Sequence, residues 1–418
     1  MKKDKAAKEP LIHITKRDTM PLWQSLLIRF AAIAIALAVS AILVIVLTKQ
    51  NPMSVFDAMF KGSFGSKRKF LNLMKSVATL LCISLAITPA FKMKFWNIGA
   101  EGQVLMGALA AAAVMRTMGK YVMPNWVIIL VMLVASLVSG LIWAVIPAIF
   151  KAIWNTNETL FTLMMNYVAM QIIQIFIAIW IKSGSGVVGI INENNKKGWL
   201  PLLFGENYLL NIFVVLGLTV FLFIYLKFSK HGYEISVVGE SENTARYIGI
   251  NVKKVVIRTM AISGALCGLA GFLLVSGADH TINKDLAGGM GFTAIMVSWL
   301  AKFNPFIMVV ASFLLVFLDR GASNVATMCK LNDSVGEIIT AIIIFFIIGC
   351  EFFIRYKIHF RSHTPRENKT NDPQKPDALP QVPDEPKAPV EASDNTSVEA
   401  SVETSVGTGS ADAQVTVS

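Results

Sequence analysis

Several ionisable and amide side chains stand at or near the starts of long apolar segments in this sequence. A charge inside a lipid bilayer costs about 3 kcal/mol or more, so each of these residues needs a physical reason. A carboxylate in the first turn of a helix is stabilised by the helix dipole, but it can equally line a polar path. An amide deeper in a segment favours a path or a hydrogen bond between helices. The candidates for lining a translocation path are Asn97, Glu101, Asn157, Glu158 and Asn166.

Motifs for bond chemistry do not occur in the sequence. It has no G-x-x-x-x-G-K-[ST] segment that could hold the phosphates of a nucleotide, and neither HExxH nor GxSxG. The five histidines are scattered and the four cysteines show no CxxC spacing, so we expect neither a metal site nor a disulfide framework. We therefore expect no enzymatic activity and no cofactor on this chain.

The composition is that of a membrane protein. Of the 418 residues, 54% are hydrophobic and 16% are charged, and the mean hydropathy is +0.59. This leaves too little polar surface to cover a soluble globule. The net charge of +11 could suggest nucleic-acid binding, but the cations cluster at the ends of apolar segments, as the positive-inside rule explains. We therefore predict a polytopic, all-α membrane protein, with lipid and not nucleic acid around it.

The apolar segments predict about ten membrane-spanning helices. Most of them have about 20 residues, the length that a helix needs to cross a bilayer, and an even number places both termini in the cytoplasm. One segment is Gly-rich and short, so it favours a broken or re-entrant helix. Asn304-Pro305 separates it from the next segment, which Asp319-Arg320 is expected to interrupt. The predicted segments are Ser25–Thr48, Leu71–Phe91, Asn97–Met115, Val127–Phe150, Leu160–Ile181, Tyr208–Phe228, Val255–Gly277, Leu286–Lys302, Phe306–Leu318 and Glu337–Ile354.

Three regions follow from this pattern. Residues 1–24 are a basic cytoplasmic lead, and residues 25–358 form the membrane domain. Residues 359–418 form a tail that is rich in Pro, Ser, Thr and acidic residues and is expected to be disordered. The cations of residues 49–70 contradict the predicted orientation, because that segment would lie outside the cell.

One charged segment, residues 229–254, separates two apolar segments on the predicted cytoplasmic side. Ser241 can cap a short helix, and Gly249 can end it. Thr244, Ala245 and Ile248 share one face at helical spacing, so the helix could pack on a surface outside the membrane. From spacing alone, a solvated turn between two membrane helices remains the simpler interpretation.

The seventh apolar segment contains closely spaced small residues. Gly264, Gly268 and Gly271 recur at the spacing that lets two helices approach closely. We therefore predict that this segment is a packing helix.

Four segments, in order, resemble the permeases of ABC importers for branched-chain amino acids, simple sugars and nucleosides. A fifth, GGMGFTAIMVSWLAKFNP, fits the same pattern. Because it contains both NIGAEGQ and NETLFTLMMNY, the sequence is most similar to the larger permease chain of nucleoside importers that work with a BMP-type lipoprotein receptor. The four segments are NIGAEGQVLMGALAAAAVM at Asn97, NETLFTLMMNYVA at Asn157, VVGESENTARYIGIN at Val237 and SGALCGLAGFLLVSG at Ser263.

This resemblance implies an importer subunit that moves its solute by alternating access. It also implies a second, homologous permease chain in a heterodimer, a cytoplasmic ATPase that binds ATP and Mg, and an extracellular lipoprotein that binds the substrate. Residues 229–254, called the coupling segment from here on, would transmit the movement of the ATPase. The residues expected to couple to the ATPase are Gly239, Glu240, Glu242, Ala245, Arg246, Tyr247 and Gly249.

Two alternatives stay open at this point. A simple-sugar permease shares much of the pattern, and an ion-coupled secondary transporter also uses broken helices and polar residues within the membrane. The energy source distinguishes the second alternative, because uptake by such a transporter would survive the depletion of ATP and collapse with the ion gradient.

Overall fold

The computed structural model describes residues 12–16, 21–48, 52–181, 188–206, 208–328 and 333–360. Within these ranges the chain forms thirteen α-helices, one π-helical turn and a pair of short strands. The helices are α1 Leu22–Thr48, α2 Pro52–Phe64, α3 Lys67–Lys92, α4 Ala100–Met118, α5 Asn125–Trp154, α6 Glu158–Trp180, α7 Leu209–Phe228, α8 Lys230–Glu240, α9 Glu242–Tyr247, α10 Val252–Leu274, α11 Met290–Leu300, α12 Pro305–Met328 and α13 Asp333–Arg355, and the π-helical turn is Val275–Asp279.

Seven helices of the described chain are long and apolar enough to cross a membrane. They confirm the prediction of a polytopic, all-α membrane protein. Two further apolar stretches, Met290–Leu300 and Ile338–Ile354, are shorter. The helix α4 is not among the seven, because it is rich in Ala and Gly and carries polar side chains. Since most of α4 is buried among other helices, it does not need a strongly apolar surface.

The helix α10 lies at the centre of the fold, where it packs against α3, α4 and α5. In the most apolar windows of α3 and α10, 67% of the residues are buried, against 28% in α1, α5 and α6. The latter helices expose large apolar side chains such as Phe30, Leu130 and Ile175, as expected for surfaces that face lipid.

The small residues of α10 lie where the helices approach most closely. A Cβ atom on Gly268 would lie 2.1 Å from the carbonyl oxygen of Ser136 in α5, and one on Gly264 would lie 2.4 Å from that of Gly140. On the other side, a Cβ atom on Gly271 would lie 2.3 Å from the carbonyl oxygen of Val104 in α4. These three glycines therefore let α10 pack between α4 and α5.

The Gly-rich segment contains only an 11-residue helix, α11. It begins after Gly288 and Gly289, which both have left-handed backbone conformations. The predicted break at Asn304-Pro305 is present, because α12 begins at Pro305. The predicted interruption at Asp319-Arg320 is wrong. The helix α12 continues through both residues to Met328, since charged side chains do not remove any backbone hydrogen bond of a helix.

The two ends of the membrane domain are joined by a strand pair that we did not expect. The strand β1, Ile12–Lys16, pairs antiparallel with β2, Tyr356–Phe360. Part of the basic lead and the first two residues of the predicted tail are therefore ordered. The rest of the tail, where we predict disorder, lies outside the described residues.

Candidate functional site: a buried polar cluster and the coupling segment

The first polar cluster lies where the chain turns from α3 into α4. Asn97, in the short connection, is fully buried. Its Oδ1 accepts hydrogen bonds from the backbone N–H of Gly99 and from Gln103 Nε2, both at 3.1 Å. Asn97 Nδ2 donates to Gln103 Oε1 at 3.3 Å. The two amides therefore satisfy each other and hold the irregular start of α4.

Asn166 connects this turn to α6. Its Oδ1 accepts a hydrogen bond from the N–H of Gly102 at 2.8 Å, and its Nδ2 donates to the carbonyl of Ile98 at 2.9 Å. A Cβ atom on Gly102 would lie 2.9 Å from Asn166 Oδ1, so glycine is what allows this approach. Of the two roles considered for Asn166, the described conformation contains the hydrogen bond between helices.

Glu101 caps a helix other than its own. Its two carboxylate oxygens accept hydrogen bonds from the N–H groups of Gly289 and Gly291, at 2.9 and 2.8 Å. Glu101 is buried, with only 2% of its surface exposed. The first N–H groups of a helix have no partner within it and carry partial positive charge, so a carboxylate satisfies and stabilises them. Glu101 therefore fixes the start of α11.

Asn157 and Glu158 lie apart from this cluster, at the start of α6. Asn157 Oδ1 accepts a hydrogen bond from the N–H of Leu160 at 3.2 Å, the geometry of an N-cap. Glu158 forms an ion pair with Lys151, at the end of α5, with 2.9 Å between Oε2 and Nζ. The structure thus brings together only three of the five path candidates, Asn97, Glu101 and Asn166. Those three are buried in the described conformation, and a path-lining role for the five stays a prediction.

The coupling segment forms two short helices. Ser229 begins α8, where its Oγ accepts a hydrogen bond from Gly232 N–H at 2.9 Å. Ser241 separates α8 from α9 and caps α9, because its Oγ accepts a hydrogen bond from Thr244 N–H at 3.3 Å. Gly249 has a φ of +84°, which fits the predicted end of the helix. The N-cap at Ser241 and the helix end at Gly249 therefore lie where the sequence predicted them.

The seven predicted coupling residues have different surroundings. Gly239 and Ala245 are buried, and a Cβ atom on Gly239 would lie 2.2 Å from the carbonyl oxygen of Lys92 at the end of α3. These two residues seat the segment on the membrane domain. The other five lie on the surface, and Tyr247 is 92% exposed. They are Glu240, Glu242, Arg246, Tyr247 and Gly249.

The prediction that α9 packs through an apolar face is mostly wrong. Of Thr244, Ala245 and Ile248, only Ala245 is buried, and Ile248 is half exposed. The helix has six residues, so it is too short to bury a continuous stripe. Exposed Ile248 and Tyr247 instead leave an apolar surface that points away from the domain.

His231 holds the base of the coupling segment. It is buried, its Nδ1 is hydrogen-bonded to the hydroxyl of Tyr225, and its Nε2 lies 3.3 Å from Thr259 Oγ1. Burial lowers the pKa of His231 below 6.5, and the positive charge of Arg258 lowers it further, whereas Glu234 acts in the opposite direction. Sequence reasoning missed this residue, because a single histidine in a charged segment carries no signal.

Two further polar contacts were also missed. Arg320 Nη2 donates to Ser76 Oγ at 2.7 Å, and Lys75 forms an ion pair with Asp279. The cation at Arg320 was visible in the sequence, but nothing there indicated its serine partner on α3. Within the described residues there is no group of three or more His, Cys, Asp or Glu side chains that could hold a metal ion.

Comparison with known proteins relates the chain to permeases. It is 26% identical to the glucose ABC transporter permease protein TsgB13 of Haloferax volcanii, over 83% of this chain and 93% of that protein. It is 29% identical to the guanosine ABC transporter permease protein NupP of Bacillus subtilis, over 79% and 95%. The nucleoside ABC transporter permease protein NupB of Lactococcus lactis is 26% identical, over 71% and 84%.

The profile of one protein family matches residues 69–348, which extend from the start of α3 almost to the end of α13. The matched region contains the buried polar cluster, the coupling segment and the close contacts of α10. It agrees with the resemblance found in the sequence motifs. The chain therefore belongs to the family of permease components of the branched-chain amino acid transport system.

Proposed function

We propose that this chain is the permease subunit of an ATP-driven importer of nucleosides. The observation that carries the proposal is the family match over residues 69–348, which covers most of the membrane-spanning helices. Two of the three relatives described above are named as guanosine or nucleoside permeases. As a permease component, the chain is a multi-pass protein of the cell membrane that moves its solute without changing a covalent bond.

The second candidate cargo is a simple sugar. The relative that is named as a glucose permease favours it. Glucose and guanosine share a ring with several hydroxyl groups, so a site for that feature would serve either. Quenching of the fluorescence of the purified receptor by uridine, guanosine or glucose would identify the cargo.

We propose ten membrane-spanning helices with both termini in the cytoplasm. The helices α4, α11 and α13 complete the seven long apolar ones. The pairing of β1 with β2 supports this arrangement, because it places the two ends of the membrane domain on one side. The short α11, which begins inside the protein at Glu101, supports a broken or re-entrant segment.

The coupling segment is the proposed contact with the ATPase. Its two helices are both capped by serines, and buried Gly239 and Ala245 hold them against the membrane domain. Arg246 and Tyr247 are exposed on its surface, where a partner chain can contact them. Binding of ATP and Mg by the partner ATPase would move the coupling segment. The membrane helices would then expose the solute path to one side at a time.

The complete importer would contain further chains. We propose a second, homologous permease, because Haloferax volcanii and Lactococcus lactis each have a second ABC transporter permease, TsgC13 and NupC, that also resembles this chain. An extracellular lipoprotein would deliver the solute. The alternative, an ion-coupled transporter, would need no ATPase and therefore no exposed coupling segment on the cytoplasmic side.

A double variant, Arg246→Ala with Tyr247→Ala, tests whether the coupling segment contacts the ATPase. We expect ATP-driven uptake to fall by about tenfold or more, because arginine and aromatic side chains contribute most of the binding free energy at many protein interfaces. Tyr121→Ala, a change of a similarly exposed tyrosine between α4 and α5 and outside the coupling segment, is the matched control. Normal uptake by the double variant, in a complex that assembles fully, would exclude the coupling role.

A further inference from the structure

The charged pair Asp319 and Arg320 lies within a membrane-spanning helix. Arg320 is the sixteenth residue of the 24 in α12. With a rise of about 1.5 Å per residue, it lies about 22 Å from the start of the helix and about 12 Å from its end. Since the hydrocarbon layer is about 30 Å thick, this position is at membrane depth.

Both side chains are exposed on the surface of the chain. Exposure of a charge to lipid is costly, and charged residues in membrane-spanning helices almost always face the protein interior or a water-filled cavity. The surface around Asp319 and Arg320 is therefore not a lipid-facing surface.

The pair lines a recess between four helices. The recess has a volume of about 110 Å³ and is bounded by α3, by the start of α11, by α12 and by α13. Each of these helices contributes a polar side chain: Ser76 from α3, Thr293 from α11, Asp319 and Arg320 from α12, and Thr340 from α13. Leu80, Met290 and Leu315 are among the apolar lining residues.

The polar groups favour an uncharged ligand. Arg320 carries donors and Asp319 carries acceptors, so the pair has no net charge, and Ser76 Oγ, which accepts a hydrogen bond from Arg320, can still donate its own proton. An anion would be attracted by the N-terminus of α11, but the carboxylate of Glu101 already accepts the N–H groups of Gly289 and Gly291. A solute with several hydroxyl groups matches this set of donors and acceptors.

The volume limits what can enter the recess. At about 30 Å³ for each water molecule, 110 Å³ corresponds to three or four waters. This is room for the hydroxyl-bearing edge of a ring and not for a whole nucleoside. The rest of the solute would lie outside the recess, in the space that this surface faces.

We infer that this recess binds the hydroxyl-bearing edge of an uncharged solute, such as the ribose of a nucleoside, during its passage through the membrane. The inference rests on the proposed function and adds to it a site on this chain. Arg320 and Ser76, joined by a hydrogen bond of 2.7 Å, form the centre of the site. A helix of a second permease chain is the other occupant that such a surface could have.

The test compares the uptake of uridine and of 2′,3′-dideoxyuridine by the complete importer in proteoliposomes. The variants are Ser76→Ala and Arg320→Gln. Thr79→Val is the matched control, because Thr79 lies one turn along α3, donates only to the carbonyl of Lys75 and does not line the recess. The receptor is the same in every sample, so a change in the ratio of the two kcat/KM values belongs to this chain.

We expect each variant to lower the preference for uridine by about fivefold to tenfold, the effect of losing one hydrogen bond to the solute. Thr79→Val should keep the wild-type ratio. An unchanged ratio in Ser76→Ala would overturn the inference, and this variant carries the test even where Arg320→Gln fails to assemble. Loss of the second permease from purified Arg320→Gln, with an unchanged ratio in Ser76→Ala, would show an interface between chains instead.

The wild-type importer separates the inference from the function on which it rests. Absence of uridine uptake by the wild type would overturn the proposed nucleoside function together with the inference. Uridine uptake by the wild type with unchanged ratios in the variants would overturn the site alone.

Discussion

Glu101 lies in the first turn of α4, yet its carboxylate holds the start of a helix that follows almost 190 residues later. From the sequence, this residue could cap its own helix or line a polar path, and local spacing could not decide between them. The actual role depends on the tertiary contact with Gly289 and Gly291. Asn166 could be predicted better, because a hydrogen bond between helices was one of its two expected roles.

Glu101→Ala should destabilise the protein by about 2–4 kcal/mol, because it leaves two buried N–H groups without an acceptor. Glu101→Gln should cost less, since its amide oxygen can still accept one of the two hydrogen bonds. Unfolding in mixed micelles measures the loss. Glu242→Ala, which removes only an exposed ion pair with Arg246, is the control and should change little. Equal stability of Glu101→Ala and the control would contradict the capping role.

The pKa of His231 predicts a dependence of stability on pH. Burial lowers this pKa in the folded protein below the 6.5 of the free side chain, so folding favours the neutral imidazole. The stabilisation is fully present above about pH 6.5 and is lost as the pH falls from there through the lowered folded pKa. The Tm of the wild type should therefore decrease more steeply on acidification than that of His231→Gln. Parallel Tm curves would contradict the prediction.

Among the elements, those that depend on local signals could be predicted, and those that depend on tertiary packing could not. Ser241 and Gly249 mark the start and stop of the short coupling helix in the sequence as in the structure. By contrast, Asp319-Arg320 was expected to end a helix that continues through it, because Arg320 finds Ser76 on α3. The β1–β2 pair joins residues 340 to 348 positions apart. Apolar and polar residues alternate in both strands, so the local sequence indicates strands but not their pairing.

The packing of α10 depends on its glycines. Gly268→Ala should lower the yield of folded protein strongly, because the new Cβ atom would lie 2.1 Å from a backbone carbonyl oxygen of α5, which cannot move without shifting the helix. Gly217→Ala in α7 is the matched control, since nothing lies within 4 Å of its Cβ position. It should be neutral or stabilising by about 0.5–1 kcal/mol. Folded protein purified at equal expression measures both, and a similar yield for the two variants would contradict the packing role.

For the whole molecule, hydropathy predicted the membrane class and the position of most helices, while the orientation depended on charges that disagreed. The cations of residues 49–70 contradicted the positive-inside rule. Lys67 forms an ion pair with Glu206, in the connection between α6 and α7. An anionic partner within the protein thus offsets one of the charges that the rule counted.

The uptake of uridine by the complete importer in proteoliposomes tests the central claim most directly. The receptor is added outside, ATP and Mg are supplied on the side of the ATPase, and ionophores dissipate the gradients of protons and sodium. We predict that uptake requires hydrolysable ATP and continues unchanged without any ion gradient. Uptake that persists without ATP and collapses when the gradients are dissipated would contradict the assignment as an ATP-driven permease.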